Sequence, residues 1–442
     1  MRNPPSRVHA GVPAAVLVAL AAVFAWRTAP LAANVDDHVR LYFGGYVGVK
    51  QVAGGPEAAA LRAELQRSTL GFRDEYLASR FVTASTPYSP LTLASVAVAE
   101  TLRPLLPATR VLPWMLGEQA LLWAVVLGLA LRGRALLPSC SVPWFLAVGL
   151  ALAWIHGHTS PLYPVPRAFA CLFTGLALAL AATGASFRWA AACAVLAAAS
   201  HPYNQAVNLA VALPAAAVLA GTPAAPALTR KAALRLGAVA VAALGASLLV
   251  LYVANPRGDL GVGRILGERL VFDPAGSWRM SRTLLQRLAV AVGLPLGALV
   301  LRYCGWRRAA VLGAYCAATL VAAATLQPAG HYPTEYLSRV GGAWVSLLFG
   351  LCLRGDLLPD LSALVPTRRA AVVVCTALVS LPAAFPELTG VPNLVHRPLR
   401  GWPGGVRLSP VEEECIRILR QFADWPPLRR PRQGTGGSGM TP

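Results

Sequence analysis

"PYSPLTLASVAVAETLRPLL", residues 87–106, decides how the rest of the chain is threaded. It is apolar enough to be weighed as a membrane span, yet it carries Glu100 and Arg103 and is interrupted by prolines. A span needs about 20 mainly apolar residues. Segments near 10–33, 111–131, 140–156, 165–183, 186–201, 205–220, 232–253, 283–302, 309–326, 336–353 and 369–385 meet that need, which makes eleven. Residues 87–106 are a twelfth span or none, and each span counted moves everything after it to the other side.

The distribution of Lys and Arg decides the count. If 87–106 does not cross, the cytoplasmic loops are RNPPSR (2–7), RGR (132–134), the turn with Arg188, TRKAALR (229–235), RYCGWRR (302–308) and the loop 354–369. These are the dense basic clusters. Counting 87–106 as a span would put TRKAALR and RYCGWRR outside. The stretch is therefore expected to be a re-entrant or interfacial helix on the outer face, within an outer loop 34–110. The basic tail with RRPR (429–432) falls outside on the same count, against the rule.

Composition agrees with a polytopic membrane protein. The 442 residues are 56% hydrophobic and 13% charged, against roughly 25% charged in soluble domains. The mean hydropathy is +0.55. A net charge of +20 could point to nucleic acid. That class is excluded here, because the basic residues fall in short clusters between apolar runs. The eight cysteines (Cys140, Cys171, Cys193, Cys304, Cys316, Cys352, Cys375, Cys415) show no CxxC or Cys/His metal spacing and read as small core residues. Residues 2–26 resemble a signal peptide at first, but the apolar run is long for one, so an uncleaved first helix is expected.

On this topology the polar singletons gather on one face. Asp36, Asp37 and His38 (in ANVDDHVRLYFGGY, 33–46) follow the first span. His156 and His158 end the third span, and His201 lies in the turn between the fifth and sixth. Asp259 and Asp273 lie in the loop 254–282, and His331, Glu335 and Arg339 precede or open the tenth span. Converging ionisable groups at a membrane face mark a site. Against this, loop ends are wet in any membrane protein, each histidine alone reads as an interfacial residue, and Arg339 reads as a snorkelling side chain.

The chemistry that suits such a face has three parts. One carboxylate acts as general base toward a hydroxyl. A second binds a divalent cation, Mg or Mn, through oxygen. An arginine holds a lipid-linked phosphate. Adjacent side chains in an extended segment point to opposite sides. Both acids therefore reach one cavity only if the chain turns at 34–37; otherwise one acts and the other caps the helix that follows.

The layout resembles the GT-C superfamily of integral-membrane glycosyltransferases, in its bacterial polyprenyl-phosphate-dependent branch. The acidic pair Asp36–Asp37 and the Y-x-x-G-Y stretch of Tyr42, Gly45 and Tyr46 carry the likeness, with PYSPL (87–91), RPLLP (103–107) and TRVLPWMLGEQALLW (109–123). The tail LSPVEEECIRILRQF (408–422) resembles the start of an outer C-terminal domain. The resemblance implies an all-α fold of about eleven transmembrane helices. Residues 1–386 form the membrane module; 387–442 form a short outer tail with one amphipathic helix and a disordered end. It implies transfer of a sugar from a polyprenyl-phosphate donor at the outer face of a bacterial inner membrane. Asp36 or Asp37 would be base or metal ligand; His38, His156, His158, His201, His331, Glu335 and Arg339 would line the substrate site. The chain is short for that superfamily and its outer C-terminal part is reduced to about one helix. A transporter or flippase for a lipid-linked or anionic substrate, with Glu118 as its one acid inside a span, and a non-catalytic membrane subunit are the competing classes.

Overall fold

The computed structural model describes residues 36–68, 89–102, 166–184, 186–255, 270–272, 285–286, 288–289, 293–328, 333–352, 410–423 and 425. These are almost entirely helical. In chain order they are α1 (Asp36–Ala53), α2 (Gly55–Arg67), α3 (Pro90–Thr101), α4 (Pro166–Thr183), α5 (Phe187–Ser200), α6 (Pro202–Leu219) and α7 (Arg230–Ala254). There follow β1 (Leu270–Phe272), α8 (Leu294–Cys304), α9 (Trp306–Thr325), β2 (Leu326–Pro328), α10 (Pro333–Cys352) and α11 (Pro410–Ala423). The two strands pair antiparallel, Leu270 opposite Pro328 and Phe272 opposite Leu326.

Local chemistry sets the boundaries. Ser89 caps α3 by accepting from the Thr92 N–H at 2.9 Å, with Pro90 in the first turn. Thr229 caps α7 through Ala232 N–H at 3.1 Å. Such caps satisfy donors that the first turn leaves open. Gly184, Gly221 and Gly305 follow the ends of α4, α6 and α8 with φ of 75°, 69° and 80°, the conformation that stops a helix and favours glycine.

Helices α4, α5, α6, α7, α9 and α10 form a bundle. Its core holds Phe169, Leu172, Leu176, Leu209, Leu236, Trp344 and Leu348. Helices α4 and α10 approach closely: a Cβ on Gly350 would lie 2.7 Å from the Gly175 carbonyl oxygen. Tyr315 donates to the Ala210 carbonyl at 2.7 Å and Trp344 Nε1 to Thr319 Oγ1 at 3.0 Å, which ties α9 to α6 and α10. Helices α7 and α9 are long and apolar enough to cross a membrane. Their outward residues are apolar as well: Leu234 is 73% exposed and Trp306 68%, with Val241, Leu249, Val253, Val311 and Val321 also exposed.

A second unit sits on one end of the bundle. On α1, Val39, Leu41, Tyr42, Phe43, Tyr46 and Val47 are buried, so the middle of this helix is enclosed on all sides. They pack with Leu61 and Leu65 of α2, Val96 and Ala99 of α3, and Val411, Cys415, Ile418 and Leu419 of α11. Each large apolar side chain buried here contributes about 1.5–3 kcal/mol. Leu93, Leu251 and Ala254 join this unit to the bundle, and Gly48 of α1 lies against Ala254 at the end of α7.

The stretch 87–106 therefore supplies α3, a helix of 12 residues. At 1.5 Å per residue it measures about 18 Å, well short of the ~30 Å hydrocarbon core. It packs on α1, α5 and α7 as part of the platform. The tail expected to be amphipathic is α11, which buries Val411, Cys415, Ile416, Ile418 and Leu419 against the platform.

Candidate functional site

The platform and the bundle end beneath it make the site. Helix α1 begins at Asp36, so Asp36, Asp37 and His38 form its first turn. The backbone at Asp36 and Asp37 is therefore helical and not extended.

Behind that turn α1 is anchored by polar contacts, most of them partly buried. Arg40 pairs with Glu412 of α11. The Tyr42 hydroxyl donates to Glu100 at 3.1 Å. The Tyr46 hydroxyl lies 3.0 Å from Glu57 Oε1 and 2.9 Å from the Phe422 carbonyl, two acceptors for one proton. Burial, and then the negative charge of Glu57 and Glu100, holds the Tyr46 phenol well above the ordinary tyrosine range. Lys50 Nζ lies 2.9 Å from Glu57 and 3.7 Å from Glu100. Arg417 of α11 contacts Glu64 at 2.6 Å and Glu414 at 2.7 Å, and Ser68 donates to Glu414 at 2.7 Å. The tail helix is thus bonded to both α1 and the α2 end.

Within the bundle, α4 and α6 enclose a cluster of amides. His201 is 3% exposed and joins α5 to α6. Its Nδ1 accepts from the Asn204 backbone N–H at 3.1 Å and caps α6, which places the proton of the neutral ring on Nε2. Asn204, Gln205 and Asn208 are buried on the first two turns of α6. Asn204 Nδ2 donates to Asn208 Oδ1 at 3.2 Å, and Asn208 Nδ2 donates to Gln205 Oε1 at 3.1 Å. Thr174 of α4 donates to Gln205 Oε1 at 2.8 Å. Asn204 Oδ1 is buried without a hydrogen-bond partner. A cavity of about 30 Å³ reaches Thr174 and Gln205, room for one or two waters. Cys171 of α4 meets Ser346 of α10, and Gly175 meets Gly350, so the two helices advance in step. Arg167 and Arg339 therefore lie within about a turn of each other along the two helices.

The sequence-predicted residues are placed as follows. Asp36, Asp37 and His38 open α1; His201 caps α6; Glu335 and Arg339 lie in the first two turns of α10. The openings of α4, α6 and α10 share one end with the close of α5 and α7, where α1 and α3 dock. His156, His158 and His331 lie outside the described residues, as do Asp259, Asp273 and Glu118. Among the described residues no three His, Cys, Asp or Glu side chains converge on a metal-sized site. The amide cluster was missed from sequence, although three amides within HPYNQAVN (201–208) interrupt an otherwise apolar helix. Comparison with family models, with curated proteins and with solved structures finds no match to this chain.

Proposed function

We propose that the chain is an integral-membrane glycosyltransferase of the GT-C kind, with about eleven spans, moving a sugar from a polyprenyl-phosphate donor to an acceptor at the outer face. The observation that carries this reading is the docking of α1. The helix whose first turn holds Asp36 and Asp37 is clamped by α3 and α11 onto the bundle end that also bears His201 and opens α10, the Arg339 helix. The exposed apolar sides of α7 and α9 support membrane insertion, because water-facing surfaces rarely carry such contiguous patches.

In the proposed step, one aspartate takes the proton of an acceptor hydroxyl. The acceptor oxygen forms a bond to the sugar's anomeric carbon as the bond from that carbon to the phosphate oxygen breaks. The leaving group is polyprenyl phosphate, whose charge Arg339 holds in a two-pronged contact. The second aspartate would offer oxygen to a divalent cation such as Mg or Mn, which would screen the phosphate charge. Asp36→Asn and Asp37→Asn, assayed for transfer of labelled sugar in membranes at equal abundance, test the assignment. Reporters fused at Gly221 and Gly305 test the topology, and both report cytoplasm on this reading. Activity retained in full by both variants removes the site.

The amide cluster favours a second reading, a transporter or flippase, because buried polar groups inside a bundle also mark solute paths. Uptake or flipping by the purified chain in vesicles, lost in Asn208→Leu and retained in Asp36→Asn, would select it.

A further inference from the structure

The bundle end away from α1 is built from three turns that touch one another. The α6–α7 loop reaches the end of α4, where Ala227 N–H donates to the Ala182 carbonyl at 3.3 Å. The same loop reaches the end of α8, where Cys304 Sγ lies 3.5 Å from Thr222 Oγ1. Arg188, Arg230, Lys231, Arg235, Arg302, Arg307 and Arg308 all lie in or beside these turns, and all are exposed. No Asp or Glu occurs anywhere in 166–255 or 285–328. The carboxylates that α1, α2, α3 and α11 supply are at the other end. Among the described residues, these seven cations share one surface that carries no carboxylate.

Their placement is unfavourable within the protein. Arg188, Arg230, Lys231, Arg307 and Arg308 stand in the first turns of α5, α7 and α9, where the helix dipole favours anions. Mutual repulsion and the dipole both oppose them, and an external anion relieves both. Beside the cations, Trp306, Trp189, Phe187 and Leu234 are exposed. Tryptophan next to Arg and Lys at helix ends is the composition of a headgroup-level belt. The exposed apolar sides of α7 and α9 continue from this belt along the bundle. Nucleic acid would meet the charges but leave those apolar sides in water.

We propose that this end is a docking surface for anionic phospholipid, with the basic turns taking the headgroup phosphates and the aromatic side chains seated beneath them. The proposal rests on the membrane part of the reading above and is independent of sugar transfer. Basic pockets of this type bind acidic headgroups through charge, so the preference falls with salt.

The test uses the full chain, purified in neutral detergent and placed in phosphatidylcholine nanodiscs with stepwise added phosphatidylglycerol. The wild type should gain thermal stability with phosphatidylglycerol and retain it as an adduct in native mass spectrometry. In Arg188→Gln/Arg230→Gln/Lys231→Gln/Arg307→Gln/Arg308→Gln the apparent affinity should fall on the order of tenfold or more. Arg420→Gln, on the platform, should respond as wild type. Should the fivefold variant fail to fold, the wild type alone decides: its preference for phosphatidylglycerol over phosphatidylcholine must shrink as salt rises. A wild type with no such preference, a preference indifferent to salt, or a folded fivefold variant that responds like wild type overturns the proposal. Release of the chain from membranes by alkaline carbonate overturns the membrane reading itself; retention there without lipid preference overturns only the docking surface.

Discussion

Arg40 on α1 and Glu412 on α11 are separated by 372 positions in the chain and form an ion pair in which Glu412 is 1% exposed. One contact thereby joins the helix that follows the acidic pair to the tail. Taking two charges out of water is costly, and the pair offsets that cost only while both partners are present. Arg40→Met alone should destabilise the folded chain by about 3–5 kcal/mol, since it strands a buried carboxylate. Arg40→Met/Glu412→Leu should recover most of that loss. Denaturant midpoints in detergent for the two variants check this, and equal losses would show that the pair is not coupled.

Docking of α11 should weaken in acid. Hydrogen bonds from Arg417, with that from Ser68 and the Arg417 charge, hold the Glu414 carboxyl below the usual glutamate range despite its burial. A carboxylate whose pKa is depressed by folding stabilises the fold above its unfolded pKa of about 4.3, and that stabilisation is lost as pH falls through the folded value. The melting temperature of wild type should therefore drop as pH is lowered below about 4. The drop should be shallower in Glu414→Gln, which begins less stable at neutral pH. Parallel curves for the two would contradict the assignment.

Close packing of α4 on α10 gives a graded test with glycine. Gly350→Ala places a methyl 2.7 Å from a backbone oxygen, which cannot step aside without moving a helix. It should cost about 1–3 kcal/mol, the range of overpacking. Gly341→Ala meets Leu288 side-chain carbons at 2.6 and 2.8 Å, which a rotamer change relieves, so its cost should be smaller. Gly245→Ala finds nothing within 4 Å and should be neutral or stabilising by up to about 1 kcal/mol. Thermal midpoints of the three rank them directly.

Much of the helical layout could be read from apolar runs. Segments expected at 186–201, 232–253 and 336–353 correspond to α5, α7 and α10 within a few residues, and the amphipathic tail to α11. The basic turns TRKAALR and RYCGWRR, grouped by charge alone, meet at one end through Thr222 and Cys304. What could not be read was the partner of each polar group. Arg40–Glu412 and Tyr46–Phe422 are contacts of high sequence separation, which no local period encodes. The amides Asn204, Gln205 and Asn208 were hidden for the opposite reason. They lie on an apolar helix whose hydrophobicity dominates any window. Of the turn expected at 34–37, residues 36 and 37 are helical in α1, and 34 and 35 lie outside the described residues.

Arg339 on α10 is the residue proposed to hold the donor phosphate. Arg339→Lys keeps the charge and loses the planar fork that grips two phosphate oxygens. The donor concentration needed for half-maximal rate should rise severalfold while the maximal rate changes less. A donor dependence identical to wild type would remove Arg339 from the site.

On the proposed function, the first turn of α1 carries the reacting carboxylate. The most direct measurement of this is transfer of labelled sugar from a polyprenyl-phosphate donor by Asp36→Asn and Asp37→Asn, at equal abundance in membranes. One variant should lose on the order of 10²–10⁴-fold in rate, as loss of a general base does. The other should be milder and shift stability or cation dependence. Full activity in both variants would contradict the claim and leave the pair as the N-terminal charge of a helix.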